Sequence, residues 1–121
     1  MTQRRYIPKP LNQADGQPFV NAEEAWLWFA ACQIARIDGI KPVAGDCAIP
    51  RPCDPDDIYR AVQRLTRQHR IGPAHIAVLG RFAVRQQPPA PEDGDGAGQA
   101  ALWAEALDHL ETELRRKGIV A

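Results

Sequence analysis

Apolar residues recur at helical spacing in four segments of this chain. The first segment, from about Ala22 to Ile37, is apolar around nearly its whole circumference, which is typical of a central helix or of an interface. Asn21 is a favourable N-cap, and Glu24 stands three residues later, where a capping-box partner belongs. We expect the core to be dominated by three large side chains of this segment: Trp26, Trp28 and Phe29.

The second and third segments predict a pair of short helices. Asp54 is the N-cap of the second helix, which ends near His69 and buries one stripe at spacing i, i+3, i+4 and i+7. That stripe consists of Ile58, Ala61, Val62 and Leu65. After a turn that contains Gly72, the third helix runs from Pro73 to about Val84, and Gly80 either weakens it or lets another backbone come close. Two helices joined by so tight a turn have the outline of a helix-turn-helix.

The fourth segment follows a stretch that is rich in proline, acids and glycine. This stretch, Gln86–Gly98, predicts a flexible linker. The helix after it runs from about Gln99 to Lys117 and ends at Gly118, with the last residues folding back on its final turn. Its apolar seam either caps the core of the molecule or binds a partner, including a second copy of the chain. The predicted partner-binding residues are Trp103, Leu107, Leu110 and Leu114.

These elements predict an all-α fold, a small bundle of about four helices with a helix-turn-helix-like hairpin. We divide the chain into an extended arm over residues 1–20, a helical core domain over 21–85, the linker over 86–98 and a C-terminal helix over 99–121. A chain of 121 residues suits one domain. No stretch approaches the roughly 18 apolar residues of a membrane span, and the first residues do not resemble a signal peptide. We therefore expect a cytoplasmic protein that does not bind membranes.

The charge of the chain is balanced overall but unevenly distributed. Residues 51–85 contain seven arginines and three aspartates, whereas residues 86–121 contain seven acids and three basic residues. Such asymmetry between segments is typical of a polyanion-binding region beside an acidic one, although two ordinary solvated faces explain it equally well.

A helix-turn-helix places its second helix in the major groove of DNA while neighbouring side chains contact phosphates. On this hypothesis the phosphate contacts come from Arg60, Arg64, Arg67 and Arg70. The third helix offers His75, Arg81 and Arg85 to base edges, and the arm offers Arg4 and Arg5 to the minor groove or the backbone. Two features oppose the hypothesis: Gln68 stands where the motif has a small residue, and the third helix is unusually apolar for a recognition helix.

The candidate catalytic and metal-binding residues predict no enzyme. The chain has no serine, and Asp56–Asp57 stand in the first turn of a helix, where acids stabilise the helix dipole. The cysteines Cys47 and Cys53 are six residues apart, as are the histidines His69 and His75, and structural zinc sites usually have closer pairs. We expect no metal, no cofactor and no small-molecule substrate.

Three segments carry a resemblance to known proteins. Residues Arg51 to Val62 have the sequence R-P-C-D-P-D-D-I-Y-R-A-V, preceded by N-A-E-E-A-W at 21–26 and followed by L-R-R-K-G-I-V at 114–120. The chain resembles a group of short alphaproteobacterial proteins. This resemblance implies a bacterial cytosolic origin and transfers no site residue.

Two functional hypotheses follow. The first is a small non-enzymatic regulatory protein that binds DNA through its basic helical hairpin and takes part in transcription regulation. The alternative is a protein–protein adaptor or homo-oligomer that uses the aromatic first helix and the C-terminal helix and binds no nucleic acid.

Overall fold

The computed structural model describes residues 16–37 and 50–121. Within these residues the chain forms a small all-α bundle, as the sequence predicts. The four helices are α1 (Ala22–Ile37), α2 (Pro55–Arg67), α3 (Pro73–Arg85) and α4 (Ala97–Arg116), with a short 3-10 helix at Pro91–Asp93. In this described part, none of the helices combines the length and the apolar composition that crossing a membrane requires.

The helix starts are fixed by local side chains. Asn21 Oδ1 accepts the Glu24 N–H at 2.9 Å, so the predicted N-cap of α1 is confirmed. The Glu24 carboxylate accepts the N–H of Val20 at 2.8 Å, one residue before the cap. At α2, Pro55 is the first helical residue and the Asp57 carboxylate accepts the Asp54 N–H at 2.9 Å. Both helices therefore begin where the sequence predicts.

α1 and α4 form the centre of the bundle. Each of them packs against all three of the other helices. The predicted aromatic core of α1 is confirmed, since Trp26, Trp28 and Phe29 are all buried. Trp26 and Phe29 pack with ring centroids 5.1 Å apart. The circumference of α1 is apolar because it has helices on several sides.

The apolar seam of α4 faces this core. Trp103, Leu107, Leu110 and Leu114 are buried, and Trp103 meets Phe82 of α3 edge-on at 5.8 Å. The Trp103 indole N–H donates to Glu23 of α1 at 3.0 Å. Of the two interpretations of the seam, the structure shows the core cap. Within the single chain these four side chains are at most 8% exposed, so binding of a partner through them stays a prediction.

Residues 86–96 form a loop that contains the 3-10 helix, and Ala97 and Gly98 of the predicted linker already belong to α4. The side chain of Asp95 is buried and accepts hydrogen bonds from Arg85 Nη1 at 2.9 Å and from the Ala90 N–H at 2.8 Å. Gln99 Nε2 donates to the carbonyl of Asp95 at 2.6 Å. Asp95 thus links the end of α3 to the start of α4, since its carboxylate accepts from Arg85 and its backbone carbonyl accepts from Gln99.

The end of the predicted arm belongs to the core. Phe19 is completely buried, and its backbone pairs with the last residues of the chain: its N–H donates to the Ile119 carbonyl at 2.9 Å, and its carbonyl accepts the Ala121 N–H at 2.9 Å. Ile119 and Val120 are buried after Gly118, whose φ of 79° ends α4. The predicted fold-back is confirmed, whereas the arm boundary at residue 20 is corrected.

Candidate functional site

The two helices of the hairpin stand apart and leave a groove between them. α2 and α3 each pack against α1 and α4 but make little backbone contact with each other. The space between them, which we call the α2–α3 groove, has a volume of about 420 Å³. This volume lies in the range of about 300–1,000 Å³ that ligand-binding clefts occupy. Its lining residues are Trp26, Tyr59, Val62, Gln63, Thr66, Arg67, Ile76, Leu79 and Gly80.

The floor of the groove is the indole of Trp26. Its Nε1–H donates to the carbonyl of Leu79 at 3.1 Å, so the polar atom of the ring is satisfied inside the protein. The hydrogen bond also fixes α1 to α3 at the base of the groove. Trp26 therefore contributes the apolar part of its ring to the groove, and its hydrogen bond holds the ring in place.

The walls carry two of the large hydrophobic side chains that the core leaves exposed. Tyr59 of α2 is 49% exposed and Ile76 of α3 is 38% exposed. The Tyr59 ring stacks on Phe29 with centroids 6.1 Å apart, which holds it in place at the groove. Aromatic and apolar groups exposed around a concave surface are typical of an interaction site.

Gly80 lies in the groove wall, and no close contact with the described part of the chain requires a glycine there. It is an exposed residue in the middle of α3, and a methyl group built at its Cα would have no atom within 4 Å. A glycine in a helix interior costs about 0.5–1 kcal/mol relative to alanine. Its helical backbone is also available to any other backbone that enters the groove.

The four arginines predicted to contact phosphates share one side of α2 and its turn. All four are exposed, at successive spacings of four, three and three residues. Arg60 pairs with Asp57 at 3.0 Å, and Arg64 Nε lies 3.7 Å from Glu113 of α4. Within the described residues, Arg67 and Arg70 form no ion pair. Two of the four, Arg60 and Arg64, therefore lie beside acids, and Glu113 is shared with Arg116, which approaches it at 2.7 Å.

The predicted base-reading side chains of α3 are engaged within the molecule. His75 Nδ1 accepts the Gly72 N–H at 3.0 Å, so its Nε2 carries the proton and donates to Glu105 at 3.0 Å. Arg81 donates to Gln99 at 2.9 Å, and Arg85 pairs with Asp95. These contacts join α3 to α4 and to the loop. Arg4 and Arg5 of the predicted arm lie outside the described residues.

Two buried carboxylates balance the basic residues. The hydrogen bond from Arg116, at 2.7 Å, holds the pKa of Glu113 below its ordinary value, and Arg64 and Lys117 act in the same direction against the effect of burial. The hydrogen bond from Arg85 lowers the pKa of Asp95. Both acids are therefore ionised at neutral pH, and they reduce the positive potential along α2 and α3.

The sequence contains a weak indication of the groove, but the hydrophobic periodicity alone does not reveal it. Tyr59 and Ile76 lie off the buried stripes of their helices, and Gly80 interrupts an otherwise apolar helix. Each is unremarkable alone, and only the separation of α2 from α3 shows that they share one surface.

The described residues contain no group of three histidine, cysteine, aspartate or glutamate side chains placed to hold a metal ion. No protein-family model, no curated protein and no solved structure matches this chain. The α2–α3 groove, with Arg67 at its edge, is thus the candidate site that the geometry itself provides.

Proposed function

We propose that this protein is a non-enzymatic binding protein that holds an amphipathic helical segment of a partner protein in the α2–α3 groove. The observation that carries the proposal is the apolar groove in which the exposed side chains of Tyr59 and Ile76 lie beside Gly80, over the buried Trp26. An amphipathic helix laid into an apolar groove is a common mode of peptide recognition. The bundle presents the groove on rigid helices, which keeps the entropic cost of binding low.

The charge around the groove selects the partner. Arg67 lines the groove, Arg70 follows it, and neither is paired with an acid in the described structure. A partner helix with an acidic side chain beside its apolar residues gains a charge-assisted hydrogen bond from either guanidinium. We therefore propose a partner segment with apolar residues at i, i+3 or i+4 and i+7, and with aspartate or glutamate on the flank that faces α2.

Selection from a displayed library of helical peptides tests this proposal. The library is enriched on the wild-type protein, and the enriched peptides are then measured on an Ile76→Asp variant, which places a charge in the groove wall at a half-exposed position. The expected result is a set of peptides with the stated apolar spacing and an acidic flank, whose binding weakens at least tenfold on Ile76→Asp. Each such peptide also shifts the NMR signal of the Trp26 indole.

A matched variant separates the groove from general surface effects. Val84→Asp introduces the same charge on the same helix at an exposed site that does not line the groove, and we expect it to leave peptide binding unchanged. If enriched peptides bind Ile76→Asp and Val84→Asp as well as the wild type, the groove is not the binding surface and the proposal fails.

DNA binding is the second candidate, and the arginine row of α2 favours it. Because Arg60 and Arg64 already face acids, two free guanidiniums supply most of the attraction. The logarithm of the binding constant should then fall with the logarithm of salt concentration with a slope of about −1.8 for two phosphates, compared with about −3.6 for four. Fluorescence anisotropy with duplex DNA measures this slope. A signal that is absent at low salt, or that survives Arg67→Gln combined with Arg70→Gln, removes this candidate.

A further inference from the structure

A second concave site lies on the other side of α1, and it shares no lining residue with the α2–α3 groove. It has a volume of about 230 Å³ and is lined by Glu24, Leu27, Trp28, Arg51 and Gln86. We call it the Arg51 pocket. Arg51 precedes α2, Gln86 follows α3, and the other three residues belong to α1.

Two residues that line this pocket each have a buried N–H group with no hydrogen-bond acceptor among the described residues. The two groups are Nε1 of Trp28 and Nε of Arg51. Buried donors are almost always paired in folded proteins, and leaving one unpaired is costly. Two such donors lining one pocket point to an acceptor group that binds there.

The guanidinium of Arg51 presents one edge to that acceptor. Its side chain is only 6% exposed and lies over the Phe19 ring at 4.1 Å. Nη1 donates to the Gln17 carbonyl at 3.1 Å, whereas Nη2 forms an ion pair with Glu24 at 3.9 Å, beyond hydrogen-bond distance. The Nε–Nη2 edge, which can bind a carboxylate through two parallel hydrogen bonds, therefore makes no hydrogen bond to the described residues.

We propose that the Arg51 pocket binds a small carboxylate with an apolar body. The carboxylate accepts from the Nε–Nη2 edge of Arg51 and from the Trp28 indole, and the apolar body lies against Leu27. Glu24 is 44% exposed and is held by the Val20 N–H. The Glu24 side chain must move away from Nη2 when the ligand binds. Its negative charge repels the carboxylate of the ligand and so weakens binding.

The indole N–H signals in an NMR spectrum of the full-length protein report on this site directly. The chain has three tryptophans, and the loss of one signal in Trp28→Phe assigns Trp28. The indoles of Trp26 and Trp103 donate to Leu79 and Glu23 and serve as internal references. We expect millimolar benzoate to move the Trp28 signal downfield and saturably, while the two reference signals stay in place.

Matched probes and variants distinguish a carboxylate site from a nonspecific apolar one. Benzamide has the shape of benzoate without its charge and should bind at least tenfold more weakly. Glu24→Gln keeps an acceptor for Val20 and removes the opposing charge, so benzoate should bind about fivefold to tenfold more tightly. Trp28→Phe, followed through the Leu27 backbone amide, should weaken binding about fivefold or more, as expected for one lost hydrogen bond.

The proposal is overturned if benzoate leaves the Trp28 indole unmoved, or if benzamide binds as tightly as benzoate. It is also overturned if Glu24→Gln leaves the affinity unchanged. Trp28→Phe and Glu24→Gln keep the interactions of Arg51 with Phe19 and Gln17, so the test does not depend on a variant that loses the core.

Discussion

Replacing Gly80 with alanine separates the stability of α3 from the function of the groove. The added methyl group meets no atom within 4 Å, so it introduces no clash in the unbound protein. Alanine in a helix interior is favoured over glycine by about 0.5–1 kcal/mol. For a domain of this size, that gain raises the melting temperature by about 2–4 °C.

The same methyl group stands in the wall of the groove. A partner helix that packs closely against the backbone of α3 at Gly80 is pushed outward, and overpacking of this kind costs about 1–3 kcal/mol. We therefore expect Gly80→Ala to be more stable than the wild type and to bind the selected peptides at least fivefold more weakly.

Thermal denaturation followed by circular dichroism measures the first effect, and calorimetry with a selected peptide measures the second. Gly98→Ala is the control, because Gly98 lies in the first turn of α4, away from the groove, and a methyl group there is equally unobstructed. It should raise the melting temperature slightly and leave peptide affinity unchanged. A Gly80→Ala protein that melts below the wild type would refute the reasoning about α3, and unchanged peptide affinity would refute the close approach at Gly80.

Three further predictions concern the bundle and its titrating groups. Leu110→Ala should lower the free energy of unfolding by about 2–5 kcal/mol in urea titrations, because Leu110 is fully buried; a loss well under 1 kcal/mol would contradict a packed α4. Asp95→Asn should melt at a lower temperature than the wild type at pH 7. Since folding lowers the pKa of Asp95, its stabilisation is present above the ordinary value of 3.8 and is lost as the pH falls further, so the two melting temperatures should converge in acid and not in alkali. Burial first, then Asp57 and Asp54, raise the pKa of Cys53 from 9.0 to about 12; alkylation of Cys53 at pH 8, followed by mass spectrometry, should be far slower in the folded protein than in urea, and equal rates would contradict this.

The sequence predicts the helices well because their signals are local. Asn21, Asp54 and Pro55 mark helix starts through hydrogen bonds and backbone geometry that involve only the next few residues. Gly118 marks the end of α4 for the same reason. Such signals do not depend on tertiary contacts, so they survive in the folded protein.

The sequence does not predict those structural features that depend on contacts between residues far apart in the chain. The proline- and glycine-rich composition of residues 86–98 favours mobility, and it gives no sign that the buried carboxylate of Asp95 accepts hydrogen bonds from Arg85 and from the Ala90 N–H. Phe19 carries no helical pattern, and its place in the core follows from the last residues of the chain, about a hundred positions away. Neither partnership is visible in local periodicity.

The arginines of α2 show the same limit for function. Their spacing correctly places them on one side of a helix. Whether they attract a polyanion depends on the acids of other segments, and Glu113 of α4 reaches Arg64 only in the folded chain. The arginines can be read from the sequence, but which of them are free to bind a partner depends on the tertiary packing.

The separation of α2 from α3 has a consequence for how the molecule is assembled. Because neither helix buries its apolar stripe against the other, an excised peptide covering only the hairpin would lack both of the surfaces that hold it in shape. The distance between the groove walls is set by α1 and α4, so a change in the α4 core, far from any ligand, should widen or narrow the opening. We therefore expect substitutions that loosen the core of the bundle to weaken binding in the α2–α3 groove as well.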